Sequence, residues 1–195
     1  MWHIVELHAL CLEFHYNRRM TLIGVISDTH GGLHERAYEA LADCDHIIHA
    51  GDICGPHILR ELETLAPVTA VLGNNDYAEY GESVQRFARP VIEGVKFLVA
   101  HYPHDVSLSA FGGRGVAPGD PIPDVCIHGH THIPRLEYGV AARPASYILN
   151  PGSATLPRGG YQRSIAKILV SDAHVEYIRI ETLRGQAIMT LNTMG

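Results

Sequence analysis

Seven side chains that commonly bind metal ions occur in four short motifs and at one separate histidine: Asp28-Thr29-His30, Gly51-Asp52, Gly73-Asn74-Asn75-Asp76, Gly129-His130-Thr131-His132 and His101. Their carboxylate, amide and imidazole groups can hold two divalent ions, and Asp52 can bridge them because a carboxylate has two oxygens. Mn²⁺, Fe²⁺ and Zn²⁺ fit this mixture of donors better than Ca²⁺ or Mg²⁺, which prefer oxygen alone. The motifs therefore predict a two-metal hydrolytic site.

Two of the motifs place their donors two residues apart, Asp28 with His30 and His130 with His132. Residues two apart in an extended chain face the same side. We therefore predict that each pair binds one ion from an extended backbone.

Each motif follows a short apolar run that is typical of a buried strand. The five runs are Leu22–Ile26, Ile47–Ile48, Val68–Leu72, Val95–Val99 and Val125–Ile127. In open α/β sheets, ligands bind beyond the carboxyl ends of the strands. Five strand ends are therefore expected to bring the donors to one rim.

The first half of the chain alternates strands with helices. Apolar residues at helical spacing predict one helix over residues 33–42 and another over 57–65, with Pro56 suited to the first turn. This alternation is typical of a parallel α/β unit. The second half predicts successive strands over residues 84–92, 95–100, 124–128, 146–149, 163–170 and 174–181, with a Glu93-Gly94 turn.

Two regions of the chain are predicted to have little regular structure. Residues 102–123 are rich in Gly and Pro, which predicts a long loop with at most a short helix near 106–111. Residues 182–195 are predicted to fray. Residues 1–19 form an N-terminal extension ahead of a single domain over 20–195, and we interpret Met20 as a natural start of translation.

Composition excludes several classes of function. The 195 residues are 46% hydrophobic and 18% charged, with a formal net charge of −6, so no general attraction to nucleic acid or anionic membranes is expected. No apolar stretch approaches the roughly 20 residues that span a bilayer. No basic tract with interleaved aromatic residues indicates long nucleic acid as a partner. The scattered cysteines, without a Cys-x-x-Cys pair, favour reduced thiols in a cytoplasmic protein: Cys11, Cys44, Cys54 and Cys126.

The order of the motifs resembles that of the calcineurin-like metallophosphoesterase superfamily, and Gly73-Asn74-Asn75-Asp76 is similar to its small bacterial and archaeal phosphodiesterase branch. The resemblance covers roughly residues 20–181. It implies an α/β fold, a four-layer αββα sandwich of two mixed β-sheets flanked by helices. It also implies one ion held by Asp28, His30, Asp52 and His132, and a second held by Asp52, Asn74, His101 and His130.

Two histidines and one segment near the implied ligands are distinguished from them. His128 precedes Gly129 and is interpreted as a strand residue that supports the site, and His101 is favoured over His104 because it ends an apolar run. The segment Asn150-Pro151-Gly152-Ser153 also resembles a family segment that lies near the site, but a structural turn is the first interpretation.

The chain departs from the family pattern at one position. Many members have histidine directly after the ligand asparagine, where this chain has Asn75, which cannot titrate near neutral pH. We therefore expect small phosphodiesters with good leaving groups as substrates, with in-line attack by a hydroxide that bridges two metal ions about 3.5–4 Å apart. The predicted catalytic residues are Asp52, Asn74, Asn75 and His104, the last as a substitute acid.

Several alternatives stay open at this point. Mn²⁺ is the first expectation for the ions, with Fe²⁺, Zn²⁺, Ni²⁺ and Co²⁺ as alternatives. A phosphomonoesterase would differ only in the substrate pocket. A protein-interaction scaffold is the alternative of a different class, because a eukaryotic retromer subunit resembles this fold while having an impaired site. The sequence does not indicate the oligomeric state.

Overall fold

The computed structural model describes residues 20–106, 119–142 and 144–193. One mixed sheet contains β1 (Thr21–Ile26), β2 (His46–His49), β3 (Val68–Ala70), β10 (Ser164–Ser171), β11 (His174–Thr182) and β12 (Ala187–Asn192). Its strand order is β12-β11-β10-β1-β2-β3. The pairs β1–β2 and β2–β3 are parallel, whereas β10, β11 and β12 pair antiparallel.

The second mixed sheet contains β4 (Phe87–Ala88), β5 (Val91–Ile92), β6 (Val95–Ala100), β7 (Val125–Ile127), β8 (Arg135–Tyr138) and β9 (Tyr147–Asn150). Its order is β4-β6-β7-β9-β8, and β5 also pairs with β6. The central strands β6, β7 and β9 are parallel. In each sheet, parallel strands therefore occupy the part that carries the motifs.

The main core lies between the two sheets. Alternate residues of the strands point into it, including Val25 and Ile168 from the first sheet and Phe97 and Ile127 from the second. The prediction of two mixed sheets in an α/β sandwich is confirmed.

Two short helices cover the outer face of the first sheet. Helix α1 (Glu35–Leu41) begins after His34, whose ring accepts a hydrogen bond from the Arg36 amide, and helix α2 (Pro56–Leu62) begins at its proline. Their buried residues pack with Ile26 and Ile47 of the sheet. On the outer face of the second sheet, Val106 packs with Leu98 and Cys126. Single turns of 3-10 helix occur at Ala78–Tyr80 and Gly139–Ala142.

One predicted strand needs correction, and two strands of the structure were not predicted. Residues 84–92 form two short strands rather than one, because Pro90 lacks the N–H that a continuous ladder requires. Strand β8 was not predicted, since its sequence RLEY has no apolar alternation. The segment predicted to fray contains β12, a half-exposed edge strand.

Some predictions fall outside the described residues, namely the N-terminal extension 1–19 with Cys11, and residues 107–111 of the short helix. No helix in the described part of the chain is long and apolar enough to cross a membrane.

Candidate metal centre

Four of the predicted ligands meet at the carboxyl ends of β1, β2 and β7. One donor atom from each of Asp28, His30, Asp52 and His132 lies within 4.8 Å of the others. The His132 Nε2 atom is 3.1 Å from Asp28 Oδ1 and 3.3 Å from His30 Nε2. The two carboxylates and His132 are buried. Such a group of convergent donors is suited to a divalent cation.

The remaining three predicted ligands meet beside this group. The Asn74 amide oxygen lies 3.1 Å from His101 Nε2 and 2.9 Å from His130 Nδ1. His101 Nε2 also lies 3.5 Å from Asp52 Oδ1. Asp52 therefore faces both groups, with His30 Nε2 at 3.7 Å from its other oxygen.

The hydrogen bonds of two rings show that the site fits metal ions. The Nδ1 atoms of His101 and His132 face the carbonyl oxygens of Ala50 at 2.8 Å and Leu156 at 2.6 Å, so each Nδ1 must carry a proton. In a neutral ring, Nε2 then presents a lone pair toward carboxylate and amide oxygens. Only a second proton or a cation makes that arrangement favourable, and ring N–H groups held by backbone carbonyls are typical of histidines that bind metal.

The electrostatics of Asp28 and His132 agree with this interpretation. Burial alone would raise the pKa of Asp28, but hydrogen bonds from His132 and Ser27 outweigh it and hold the pKa below its usual value. The hydrogen bond to Asp28 raises the pKa of His132. The pocket thus favours an anion at Asp28 with a positive partner beside it, a position that a metal ion can take.

The backbone at the motifs is not extended. Asp28, His30, Asp52, His130 and His132 all have positive φ, between 47° and 68°. The predicted extended geometry is therefore wrong. Asp28 and His30 do face one donor group, whereas His132 joins that group and His130 lies beside Asn74. The positive-φ conformation is strained for residues with a side chain. Neighbouring loops hold it through backbone hydrogen bonds, such as Asp28 N to Gly51 O at 3.0 Å and His30 N to Asp52 O at 2.9 Å.

Asn75 and Asp76 both form hydrogen bonds with the loop that follows β2. The Asn75 backbone N–H and side-chain amide donate to the two oxygens of Asp52 at 2.8 and 2.7 Å. Asp76 accepts from the amides of Gly73, Ile53 and Cys54, and these bonds lower its pKa against the opposing effect of burial. Both residues therefore fix the positions of neighbouring groups.

The segment that begins at Asn150 holds the loops of the site in place through hydrogen bonds, in agreement with its interpretation as a structural turn. Asn150 is buried and donates to the Gly129 carbonyl and the Thr131 hydroxyl, both at 2.9 Å. Ser153 and Thr155 both donate to the Asp28 carbonyl, at 2.9 and 2.8 Å. Thr155 was missed in the sequence because a hydroxyl that binds a backbone carbonyl has no spacing signature.

The ring of Tyr102 separates His104 from the predicted ligand His130. It is 57% exposed, and its Nε2 is 3.4 Å from Asp105 Oδ1. Its ring stacks on Tyr102 at 5.1 Å, and Tyr102 in turn contacts His130 at 4.6 Å. The buried Asp105 also accepts two hydrogen bonds from Arg86. Tyr102 had not been singled out in the sequence, although it directly follows His101.

His128 and His49 lie beside the donor clusters as supporting residues. Burial lowers the pKa of each to about 4, so both rings are neutral. His49 contacts Thr29 Oγ1 at 3.0 Å and accepts from the Gly51 amide. Cys54 Sγ lies 3.9 Å from His30 Nδ1, and burial raises its pKa to about 11, so the thiol stays protonated at neutral pH.

Comparison with known proteins gives matches over most of the chain. The profile of the calcineurin-like phosphoesterase superfamily domain matches residues 21–173. A probable metallophosphoesterase of Methanothermobacter thermautotrophicus is 40% identical over 146 residues, which are 70% of this chain and 79% of that protein. Another, from Methanocaldococcus jannaschii, is 39% identical over 165 residues, or 77% of each chain.

Several solved structures share the fold. The phosphoesterase YfcE from E. coli superposes with a TM-score of 0.64 at 22% identity, covering 88% of this chain and 98% of that chain. Vps29 from Entamoeba histolytica, complexed with zinc, gives 0.64 at 23% identity with the same coverage. An archaeal phosphodiesterase gives 0.57 at 24% identity, covering 88% and 99%. At these identities the likeness is one of fold.

Proposed function

Because the chain belongs to the calcineurin-like phosphoesterase superfamily, we propose that it is a metal-dependent phosphodiesterase that hydrolyses small phosphodiesters. The observation that carries this proposal is the convergence of donor atoms from Asp28, His30, Asp52 and His132 within 4.8 Å. Beside this group lie Asn74, His101 and His130, which would hold a second ion together with Asp52.

The metals and the protein have separate tasks in the proposed reaction. When bound, divalent cations neutralise phosphoryl oxygens and lower the pKa of a bound water. The protein orients the donors, because backbone carbonyls face the Nδ1 atoms of His101 and His132 and the Asn75 amide donates to Asp52. We propose in-line displacement at phosphorus by hydroxide, without a covalent enzyme intermediate.

The preference for diesters is inferred from position 75. Asn75 cannot donate a proton to a leaving group by titrating, and its amide donates instead to Asp52 Oδ2 at 2.7 Å. Diesters whose leaving group departs as a stable anion need no such proton. One of the proteins that share the fold is an archaeal phosphodiesterase, which agrees with this choice.

His104 is proposed as the acid for poorer leaving groups. Its exposed ring is held by stacking on Tyr102 and lies near Asp105. In a His104→Ala variant we expect the alkaline limb of the pH–rate profile to change for a diester with an alkyl leaving group. An unchanged profile would remove His104 from the mechanism.

The proposal is tested by a substrate screen on metal-stripped protein. Bis(p-nitrophenyl) phosphate and p-nitrophenyl phosphate are assayed after restoring Mn²⁺, Fe²⁺, Zn²⁺, Ni²⁺ or Co²⁺ singly. We expect turnover only with metal, highest with Mn²⁺, and faster for the diester. Faster monoester turnover would favour the phosphomonoesterase alternative. Absence of turnover with every ion would overturn the enzyme proposal in favour of an interaction scaffold.

A further inference from the structure

A basic cavity of about 360 Å³ lies outside the metal-binding group. It is lined by His34, Arg36, Gln162, Arg163, Leu183 and Arg184. Three of these residues carry guanidinium groups, and no carboxylate is among them. The whole chain has a formal charge of −6, so the charge of this cavity is opposite in sign to the net charge of the protein.

The three guanidinium groups are available to a ligand. None of the ion pairs formed among residues 20–106, 119–142 and 144–193 involves Arg36, Arg163 or Arg184. The Arg163 Nε atom donates to the Thr155 carbonyl at 3.1 Å, which fixes the plane of its guanidinium. The terminal nitrogens of a fixed guanidinium can bind an oxyanion through two parallel hydrogen bonds.

Thr155 contacts both a residue that lines the cavity and a residue of the metal centre. Thr155 accepts from Arg163 through its carbonyl and donates to the Asp28 carbonyl through its hydroxyl, at 2.8 Å. Because both contacts pass through one residue, Arg163 Nε and the Asp28 carbonyl oxygen are at most about 10 Å apart. His34 belongs to the loop that continues from His30. A phosphodiester that extends by about this length beyond its scissile phosphate would bring a second anionic group to the cavity.

We propose that this cavity binds a second anionic group of the substrate, so that the protein prefers phosphodiesters that end in a phosphate or carboxylate. This inference rests on the proposed function, because it assigns the part of the substrate beyond the scissile bond. The guanidinium groups recognise the oxyanion, while cations held by the residues of the metal centre would bind the scissile phosphodiester.

The first test measures binding without catalysis. Metal-free protein is titrated with inorganic phosphate and, separately, with malonate by isothermal calorimetry. Arg163→Gln and Arg36→Gln are compared with Arg60→Gln, an exposed arginine on α2 that does not line the cavity. We expect wild type and Arg60→Gln to bind alike, and the two cavity variants to bind roughly tenfold to a hundredfold more weakly. Equal binding by all four proteins would overturn the inference.

The second test is kinetic and separates the two proposals. Two p-nitrophenyl diesters are compared whose second alcohol ends in either a phosphate or a hydroxyl. We expect a lower KM for the phosphate-ended diester, and loss of that advantage in Arg163→Gln. If both diesters are hydrolysed with equal KM, the cavity inference fails and the phosphodiesterase proposal stands. If neither is hydrolysed but phosphate binding depends on Arg163, the activity fails and the anion site stands.

Discussion

Asp52 is the residue at which the two groups of donors meet. Its Oδ2 lies 3.7 Å from His30 and its Oδ1 lies 3.5 Å from His101, while Asn75 donates to both oxygens. It is 2% exposed, so its charge has little compensation from water. The sequence indicated this role through a glycine followed by a carboxylate at a strand end. The hydrogen bonds that Asn75, a predicted catalytic residue, donates to Asp52 had no signal in the sequence.

Replacing Asp52 by asparagine is predicted to abolish metal binding and activity without unfolding the protein. The amide keeps the size of the side chain but removes the charge that two cations would share. We expect kcat/KM to fall by about 1,000-fold or more, with metal content measured by elemental analysis falling in parallel. Asp43→Asn is the matched control, since Asp43 pairs with Lys167 on the surface. Full activity of Asp52→Asn would contradict the ligand assignment.

Removing the Asn75 side chain is predicted to weaken metal binding rather than abolish it. In Asn75→Ala, the bond from the Asn75 backbone amide to Asp52 Oδ1 remains, whereas the bond to Oδ2 is lost. Loss of a hydrogen bond that orients a ligand lowers metal affinity by about 10–100-fold. A metal titration monitored by recovered activity measures this. An unchanged affinity, with a lower kcat, would instead place Asn75 at the substrate.

At the scale of elements, apolar runs predicted the strands that carry the site because buried parallel strands leave uninterrupted apolar sequence. They did not predict β8 and β12, because both strands are half exposed and lie at the edges of their sheets. The left-handed backbone at Asp28, Asp52 and His130 was also missed. Non-glycine residues adopt it when tertiary hydrogen bonds hold the loop, and those bonds join segments that are distant in sequence.

The residues that follow β2 and β3 approach each other closely, and a substitution at this contact tests the arrangement of the site. A Cβ added at Gly73 would lie 2.2 Å from the backbone nitrogen and Oδ1 of Asp52. Gly73→Ala must therefore push the loop that follows β3 away from the loop that follows β2. We expect this variant to lose metal binding and most of its activity. Gly32→Ala is the control, because the added methyl would meet only Thr155 at 3.8 Å and Thr29 O at 3.8 Å. Equal behaviour of the two variants would contradict this explanation.

At the scale of the whole molecule, the candidate metal centre lies where the two sheets meet. Asp28 and Asp52 follow strands of the first sheet, whereas His101 and His132 follow strands of the second. A metal ion bound between them would connect the sheets at one edge and bind the folded state alone. Ligand binding of this kind stabilises a protein by about 2.7 kcal/mol at a ligand concentration of 100 times Kd.

The thermal stability of the protein is therefore predicted to depend on metal concentration. For a chain of this size, about 2.7 kcal/mol corresponds to a rise in Tm of roughly 5–10 °C. Differential scanning calorimetry of metal-stripped protein with increasing Mn²⁺ measures this rise, which should disappear in Asp52→Asn and persist in Asp43→Asn. A Tm that does not change with any divalent ion, in protein that is shown to bind the ion, would mean that the ion binds the unfolded chain as tightly as the folded protein.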